Sequence, residues 1–323
     1  MMKKVFLAVA LIVINTLCFA QVQIRNPVLN ENFPDPTIIR VGNKYFAYAT
    51  NGSISGKSYN IPIASSTDLQ NWVIVGDALP EKPVWATKDF WAPHVLFDKK
   101  LNKYVLFYSG EKGINTGKCI GVAFSDKPEG PFKDKGSPLI CGEGFINIDP
   151  FAFVDPESGK KLLYWGSAHQ PLKVQELNDD WCSFKEGTQP QPLISIDHEK
   201  YDHLVEGSWV DYHKGKYYLF YSGDNCCGER AHYAVMVARA ENATGPFKRL
   251  GEEKGKENSV ILEKNDNWLA PGHNSIVRDE HGKAYIAYHA IPINKETGKA
   301  KSSGRVMLIS PIKYKNGWPV VNQ

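Results

Sequence analysis

The sequence predicts an all-β fold, a five-bladed β-propeller whose four-stranded antiparallel blades surround a central axis. Two observations predict it. A short apolar strand, a Gly/Asn/Lys turn and a strand rich in Tyr and Phe recur five times, with starts 59, 55, 57 and 67 residues apart. No amphipathic helix of ten or more residues interrupts them. Repeats of this length are typical of propeller blades, and a β-sandwich with coincidental spacing is the alternative.

Each repeat is built from the same elements in the same order. Alternation of apolar and polar residues predicts the strands, and Gly, Asn and Lys between them predict tight turns. The first halves are, in chain order, "DPTIIRVGNKYFAYAT" from Asp35, "HVLFDKKLNKYVLFYSG" from His94, "DPFAFVDPESGKKLLYWGS" from Asp149, "EGSWVDYHKGKYYLFYSG" from Glu206 and "HNSIVRDEHGKAYIAYHA" from His273. The second halves also resemble one another: "STDLQNW", "SDKPEGPF", "LNDDWCSF", "AENATGPF" and "KNGWP".

Charged or polar side chains stand at the start of every repeat, beside apolar residues. In a propeller the first strand of each blade lines the central channel, so residues at equivalent strand starts converge on the axis. The residues at these starts are Asp35, His94, Asp149, Glu206 and His273. We therefore expect three carboxylates and two histidines to share one funnel-shaped site.

Residues 1–20 are predicted to be a signal peptide. Lys3 and Lys4 precede an apolar run, and "Cys18-Phe19-Ala20" resembles a cleavage site before Gln21. Lipidation of Cys18 is an alternative, disfavoured because Leu17 is a poor residue at the preceding position. The expected mature chain, 21–323, is a single catalytic domain, periplasmic or secreted, and monomeric.

The charge balance excludes an electrostatic nucleic-acid binder. The chain has 38 Lys and Arg against 35 Asp and Glu, with no basic stripe. The leader is too short and too close to the start to favour a membrane span. Aromatic residues make up 12% of the sequence, which suits either dense packing or the stacking of sugar rings.

Five cysteines follow the leader, and no C-x-x-C metal pattern occurs among them. Export permits disulfides. We predict that adjacent Cys226 and Cys227 pair, that Cys119 pairs with Cys141, and that Cys182 is the free thiol.

Three carboxylates around one cleft suit glycosidic bond cleavage, in which one acid protonates the leaving oxygen and another activates water or attacks the sugar. They also suit Ca²⁺, but the closely spaced ligands of a D-x-D-x-D loop are missing from the sequence. Sequence motifs for a serine hydrolase elbow, a zinc protease or a phosphate loop are not present either. A glycoside hydrolase and a carbohydrate-binding propeller remain as alternatives.

At these residues the chain resembles glycoside hydrolase family 43, five-bladed propeller enzymes acting on arabinose- and xylose-containing polysaccharides. The resemblance covers residues 27–320. The matching segments, in order, are "FPDPTIIRVGNKYFAYAT", "IPIASSTDLQNW", "FWAPHV", "GVAFSDKPEGPF", "IDPFAFVD", "LVEGSWV" and "RVMLISPIKYKNGWPVV".

The resemblance implies catalytic roles. Asp35 resembles the general base that activates water, and Glu206 resembles the general acid. Asp149 resembles the residue that orients the acid and modulates its pKa. We therefore expect Glu206 to keep a proton near neutral pH, and we expect inversion at the anomeric carbon.

The resemblance also implies binding residues. Arg305 matches an arginine that reaches the sugar or an active-site carboxylate. Trp91 and Phe90, beside His94, are expected to wall the sugar pocket, with His289 as a weaker candidate. His273 matches a histidine near the axis, where relatives hold a hydrated Ca²⁺; a polar residue without metal is the alternative. The expected chemistry requires no cofactor.

The expected function is that of an exported exo-acting α-L-arabinofuranosidase, whose partners are arabinose- or xylose-containing glycans. β-Xylosidase, endo-arabinanase and exo-galactanase activities are alternatives within the family, and a non-catalytic carbohydrate-binding propeller is the alternative from another class. Adjacent Cys226 and Cys227 depart from the family pattern and are expected at the rim of the site.

Overall fold

The structure is a computed structural model that describes residues 24–113, 116–197, 201–228, 230–301 and 304–323. Residues 1–20, expected to form the signal peptide, lie outside these ranges. Five antiparallel sheets follow one another along the chain and confirm the predicted five-bladed β-propeller. Within the described ranges, no helix has the length and hydropathy needed to cross a membrane.

The first two blades also carry a small hairpin and an extra strand. Blade 1 and the hairpin after it comprise β1 (Thr37–Val41), β2 (Lys44–Tyr48), β3 (Gly52–Ile54), β4 (Lys57–Tyr59), β5 (Pro62–Ser66) and β6 (Val73–Asp77). Blade 2 comprises β7 (Lys88–Asp98), β8 (Lys103–Glu111), β9 (Cys119–Ser125) and β10 (Lys133–Asp134), with β11 (Ile140–Cys141) paired to β9.

The other three blades repeat the plan. Blade 3 comprises β12 (Phe151–Val154), β13 (Lys161–Trp165), β14 (Leu172–Leu177) and β15 (Gln191–Ile194). A 3₁₀ turn (Tyr201–His203) precedes blade 4, which comprises β16 (Val205–His213), β17 (Lys216–Asn225), β18 (His232–Ala240), β19 (Lys248–Arg249), the short helix α1 (Leu250–Lys254) and β20 (Val260–Leu262). Blade 5 comprises β21 (Trp268–Arg278), β22 (Ala284–Pro292), β23 (Val306–Lys315) and β24 (Trp318–Val321).

Turn chemistry sets the register between strands. Asn316 and Gly317 form the two-residue link between β23 and β24, and Lys315 pairs with Trp318 across it. Both turn residues have positive φ, 53° and 75°. A type I′ hairpin requires such angles, and Asn-Gly adopts them at low cost.

The hydrophobic core is divided among the interfaces between blades. Five large clusters of buried side chains each join one blade to the next, including blade 5 to blade 1. Tyr45 and Tyr285 belong to the cluster that joins the last blade to the first. Burial of each large apolar side chain contributes about 1.5–3 kcal/mol, so the blade faces hold the ring together and leave the axis to polar groups.

The N-terminal segment closes the ring. Backbone bonds link Val28 and Leu29 to Met307 in β23, at 3.1 Å for Val28 N to Met307 O and 3.2 Å for Met307 N to Leu29 O. The Phe33 amide also donates to the Arg305 carbonyl at 2.8 Å. This closure brings Asp35 beside the last blade.

Candidate active site

A cavity of about 540 Å³ lies at one end of the axis, and Asp35, Asp149 and Glu206 line it together. The convergence expected from the repeats is therefore what the structure has. The size falls in the range of about 300–1,000 Å³ that is usual for small-molecule sites. Trp91, Arg305 and His273 line the same cavity, together with Cys226 and Cys227.

Unusual backbone geometry at the strand starts turns these residues toward the cavity. Asp35, Asp149 and His273 have φ of 56°, 59° and 50°, in the left-handed region that residues other than glycine rarely occupy. Gly207, next to Glu206, has φ of 63°, and a Cβ there would lie 3.3 Å from the His273 ring. Such strain is typical of functional sites.

Asp35 is buried among donors. Thr50 Oγ1 donates to Oδ2 at 2.5 Å, and Arg305 Nη1 donates to Oδ1 at 2.9 Å. Nδ1 of His289 lies 3.1 Å from Oδ1. Burial alone would raise the pKa of Asp35, but Arg305, His273 and His289 outweigh it and hold the pKa well below its usual value. Asp35 is therefore ionised at neutral pH.

Asp149 has the opposite electrostatic environment. Burial, followed by the charges of Glu206 and Asp35, raises the pKa of Asp149 well above its usual value. Asp149 therefore retains a proton more readily than an isolated aspartate would. Asp149 Oδ2 also accepts a bond from the Gly207 amide at 3.1 Å, which fixes the backbone beside Glu206.

Two hydroxyls hold Glu206. Tyr233 Oη donates to Oε1 at 2.7 Å, and Ser167 Oγ donates to Oε2 at 2.6 Å. The sequence analysis missed Tyr233, Ser167 and Thr50. Thr50 and Ser167 are the last residues of the first and third repeats, just after the second strands β2 and β13, so the small polar residue at that repeat position was an available signal. Tyr233 lies on the third strand β18, outside the quoted repeats.

His273 bridges two of the carboxylates. Its Nδ1 lies 3.5 Å from Asp35 Oδ1 and 3.7 Å from Asp149 Oδ2. Burial lowers the pKa of His273, although the charge of Asp35 opposes that effect. Its backbone amide donates to Ser222 Oγ at 2.8 Å, which anchors the residue to blade 4.

Three residues expected to contact sugar lie elsewhere. Phe90 is 1% exposed and packs in the core between blades 1 and 2 instead of walling the pocket. His94 lies below the carboxylates with its ring against Phe151 and Trp209, and burial lowers the pKa of His94 to about 3. His289 is fully buried and reaches Asp35 from behind.

A second, smaller cavity lies beside the carboxylates, and its lining includes Asp35, Asp149, His94, Ser208 and Asn274. Its size and its polar lining suit a water molecule. Its volume is about 20 Å³, enough for one water molecule. Four side-chain atoms of this lining have no hydrogen-bond partner among the described residues: Asn274 Nδ2, Asn274 Oδ1, Ser208 Oγ and His94 Nε2. Ca²⁺ takes six to eight oxygen ligands, and the described ranges hold no group of three or more His, Cys, Asp or Glu side chains suited to a metal. The lining does not fit a directly bound Ca²⁺.

Both predicted disulfides are present. Cys119 pairs with Cys141, and Cys226 pairs with Cys227 at the cavity rim. Cys182 is the free cysteine of the described ranges.

The carboxylate geometry agrees with sequence comparison. The pattern described as "Glycosyl hydrolases family 43" matches residues 24–319. The chain belongs to glycosyl hydrolase family 43. It is a glycoside hydrolase, as the paired acidic groups of the cavity indicate.

Relatives within family 43 span several named activities. The chain is 27% identical to the extracellular endo-alpha-(1->5)-L-arabinanase 1 of Bacillus subtilis strain 168, over 90% of this chain and 88% of that protein. It is also 27% identical to the extracellular exo-alpha-(1->5)-L-arabinofuranosidase ArbA of Cellvibrio japonicus, over 79% and 78%. The crystal structure of a thermostable family-43 glycoside hydrolase superposes with a TM-score of 0.75 at 26% identity, covering 93% of this chain and 96% of that one.

Proposed function

We propose that this family 43 enzyme releases α-L-arabinofuranosyl units from the ends of arabinose-containing glycans outside the cell, with inversion at the anomeric carbon. The observation that carries the proposal is the contrast between the carboxyls. Donors hold Asp35 ionised, whereas Asp149 and Glu206 face each other's charge in a buried site. An ionised base and a second carboxyl placed to act as acid are what acid–base cleavage of a glycoside requires.

In this mechanism Asp35 takes a proton from a water molecule as that water attacks the anomeric carbon. Glu206 gives its proton to the departing glycosidic oxygen. The bond that Asp149 accepts from the Gly207 amide holds the backbone beside the acid in place. Arg305 keeps Asp35 anionic until the water is deprotonated. Proton exchange with solvent then restores both residues.

The stereochemistry of the first product tests the assignment of Asp35. An inverting enzyme keeps its carboxyls about 6.5–9.5 Å apart, so that water fits between base and sugar. Proton NMR during early turnover of an aryl α-L-arabinofuranoside should show β-arabinofuranose first. Initial α product would overturn the role of Asp35 as base.

Leaving-group dependence tests Glu206. Glu206→Gln should nearly abolish hydrolysis of arabino-oligosaccharides and spare activated aryl glycosides, because a good leaving group needs less protonation. Glu241→Gln, which alters an exposed Lys216 partner on the same blade, is the matched control and should behave as wild type. Equal losses with both substrates would contradict the assignment.

Product length distinguishes the alternatives within the family. Debranched arabinan should yield arabinose as the first detectable product if the enzyme acts at chain ends. Early oligomers would instead indicate endo-arabinanase action, and preference for aryl β-D-xyloside would indicate β-xylosidase action. Binding of these glycans without any turnover would support the non-catalytic alternative.

A further inference from the structure

An exposed aromatic residue that the mechanism does not use lies at the cavity mouth. Phe145 lines the catalytic cavity and is 48% exposed, although it is large and apolar. Its ring is parallel to that of Trp91, with 4° between the planes and 6.0 Å between the centroids. Both rings therefore present flat apolar surface at one side of the cavity.

A buried cation lies against both rings. Lys118 Nζ is 4.4 Å from the Trp91 centroid and 5.3 Å from the Phe145 centroid. The Lys118 side chain is 5% exposed and does not line the cavity, so it contacts the rings outside the cavity lining. Cation–π contacts of this kind contribute more when the cation is desolvated.

Two acids, the buried Glu111 and the partly exposed Asp89, fix the position of Lys118. Asp89 Oδ2 lies 2.7 Å from Nζ, and Glu111 forms a shorter contact with the same atom. Burial would raise the pKa of Glu111, but its bonds to Lys118, Asp89 and Lys88 lower it to about 2. The positive charge of Lys118 is therefore balanced by ionised Glu111 at every pH above the low pKa of that carboxyl.

The loop that bears Phe145 is tied to Lys118, which directly precedes β9. The Lys118 amide donates to the Gly144 carbonyl at 3.0 Å, and the Gly142 amide donates to the Lys118 carbonyl at 3.1 Å. The Cys119–Cys141 disulfide links the same two segments covalently. Phe145 thus directly follows a segment, residues 141–144, that is bonded to Lys118 and Cys119.

We propose that Phe145 is a specificity-determining residue that, beside Trp91, binds the sugar adjacent to the one held at the carboxylates. Lys118 is a positioning residue that holds both rings from outside the cavity lining. The C–H face of a sugar ring packs on aromatic surface and gains the free energy of apolar burial. The ligand class is a chain of at least two furanose units. The inference rests on the proposed glycan-hydrolysing function.

Two substrates of different length test whether the platform, the pair of rings of Phe145 and Trp91, binds a second sugar. Phe145→Ala should raise KM for linear arabinotriose about tenfold, which corresponds to about 1.4 kcal/mol. The loss with methyl α-L-arabinofuranoside should be much smaller, because that substrate has one sugar and a leaving group too small to pack on the two rings. Phe145→Trp should restore the wild-type KM. Lys118→Met should show the same selective loss, and Lys118→Arg should reduce it.

Phe97→Ala is the matched control. Phe97 is 44% exposed on β7, the strand that also carries Trp91, and lies outside the cavity lining. It should leave both KM values unchanged. Losses of equal size for the two substrates in Phe145→Ala, or no loss beyond that of Phe97→Ala, would overturn the proposal.

Calorimetry separates this inference from the proposed function. Arabinotriose is titrated into Asp35→Asn and into the double variant Asp35→Asn/Phe145→Ala. A Kd about tenfold weaker in the double variant supports the platform even if wild-type protein cleaves none of the substrates. Equal Kd values overturn it even if hydrolysis is observed.

Discussion

Replacement of Arg305 by Met should move the acid limb of the pH–rate profile upward. Arg305 Nη1 lies 2.9 Å from Asp35 Oδ1, and both side chains are mostly buried. At this distance, and with an effective dielectric constant of about 20, the Coulomb attraction is about 6 kcal/mol. Desolvation of the guanidinium and water entering the variant reduce the net effect. An aspartate beside an arginine typically has its pKa lowered by about 1–3 units.

The direction follows from the role of Asp35 as a base that must be ionised. Its pKa is lowered in the wild type, so activity falls only when the pH drops through that low value. Loss of Arg305 raises the pKa of Asp35, and the acid limb of kcat/KM should rise by about 1–3 pH units. The alkaline limb should move upward by less, because Arg305 also lowers the pKa of Asp149, although it is a smaller cause there than burial and the charges of Glu206 and Asp35. Arg305→Lys retains the charge and should give a limb near that of wild type.

The assay measures kcat/KM of the wild type and the variants with an aryl α-L-arabinofuranoside from about pH 3 to about pH 9. This range begins below the usual carboxyl pKa of about 4 and extends well above it. Arg278→Met is the control, because Arg278 donates to Asp211 at 2.8 Å outside the cavity. It should leave both limbs unchanged. An unmoved acid limb in Arg305→Met, or an equal shift in Arg278→Met, would refute the assignment of Arg305 as the group that keeps Asp35 ionised.

Three further predictions concern Glu206, the packing behind it and the thiols. Tyr233→Phe removes one of the two hydroxyl bonds to Glu206 and should lower kcat about 10-fold or more, since a hydrogen bond to a charged group contributes about 1.5–3 kcal/mol. An unchanged kcat would show that the Tyr233 bond does not assist Glu206. Gly272→Ala would place a Cβ 1.9 Å from the Tyr233 ring and should destabilise the fold by about 1–3 kcal/mol in urea unfolding. Gly76→Ala, with no atom within 4 Å of the new Cβ, is the control. Alkylation of the non-reduced mature protein should label one thiol, Cys182, by mass spectrometry, and a second label would contradict the disulfide scheme.

The sequence predicted the residues whose position is tied to the repeat. Asp35, Asp149 and Glu206 were predicted because each stands at the same point relative to its blade's first strand, and the ring brings those points together. Phe90 and Trp91 were both expected at the pocket wall, but of the two only Trp91 lines the cavity. Strand β7 has register shifts on both sides of Trp91, and Asp89 and Ala92 have φ of 58° and 46°. Alternation of faces is lost at such irregularities.

Contacts between outer strands and loops were also beyond sequence reasoning. Tyr233 reaches Glu206 from β18, and Phe145 meets Trp91 through a loop whose path depends on a disulfide. Their approach is set by blade packing and loop conformation, which leave no periodic signal in one sequence. His289 was expected to line the pocket. It does contact Asp35, but it is buried and does not line the cavity, because the direction of its side chain depends on the local strand register.

Closure of the propeller ring by the N-terminal segment determines how early in its synthesis the enzyme can become active. The general base and the arginine beside it are 270 residues apart in the chain, and they meet only when the N-terminal segment joins β23. Contacts of such long range form late, because a large loop must close first. A nascent or truncated chain can build several blades and still lack the Asp35–Arg305 pair. Catalytic competence therefore requires a chain that has been made at least as far as β23 and whose N-terminal segment has paired with that strand.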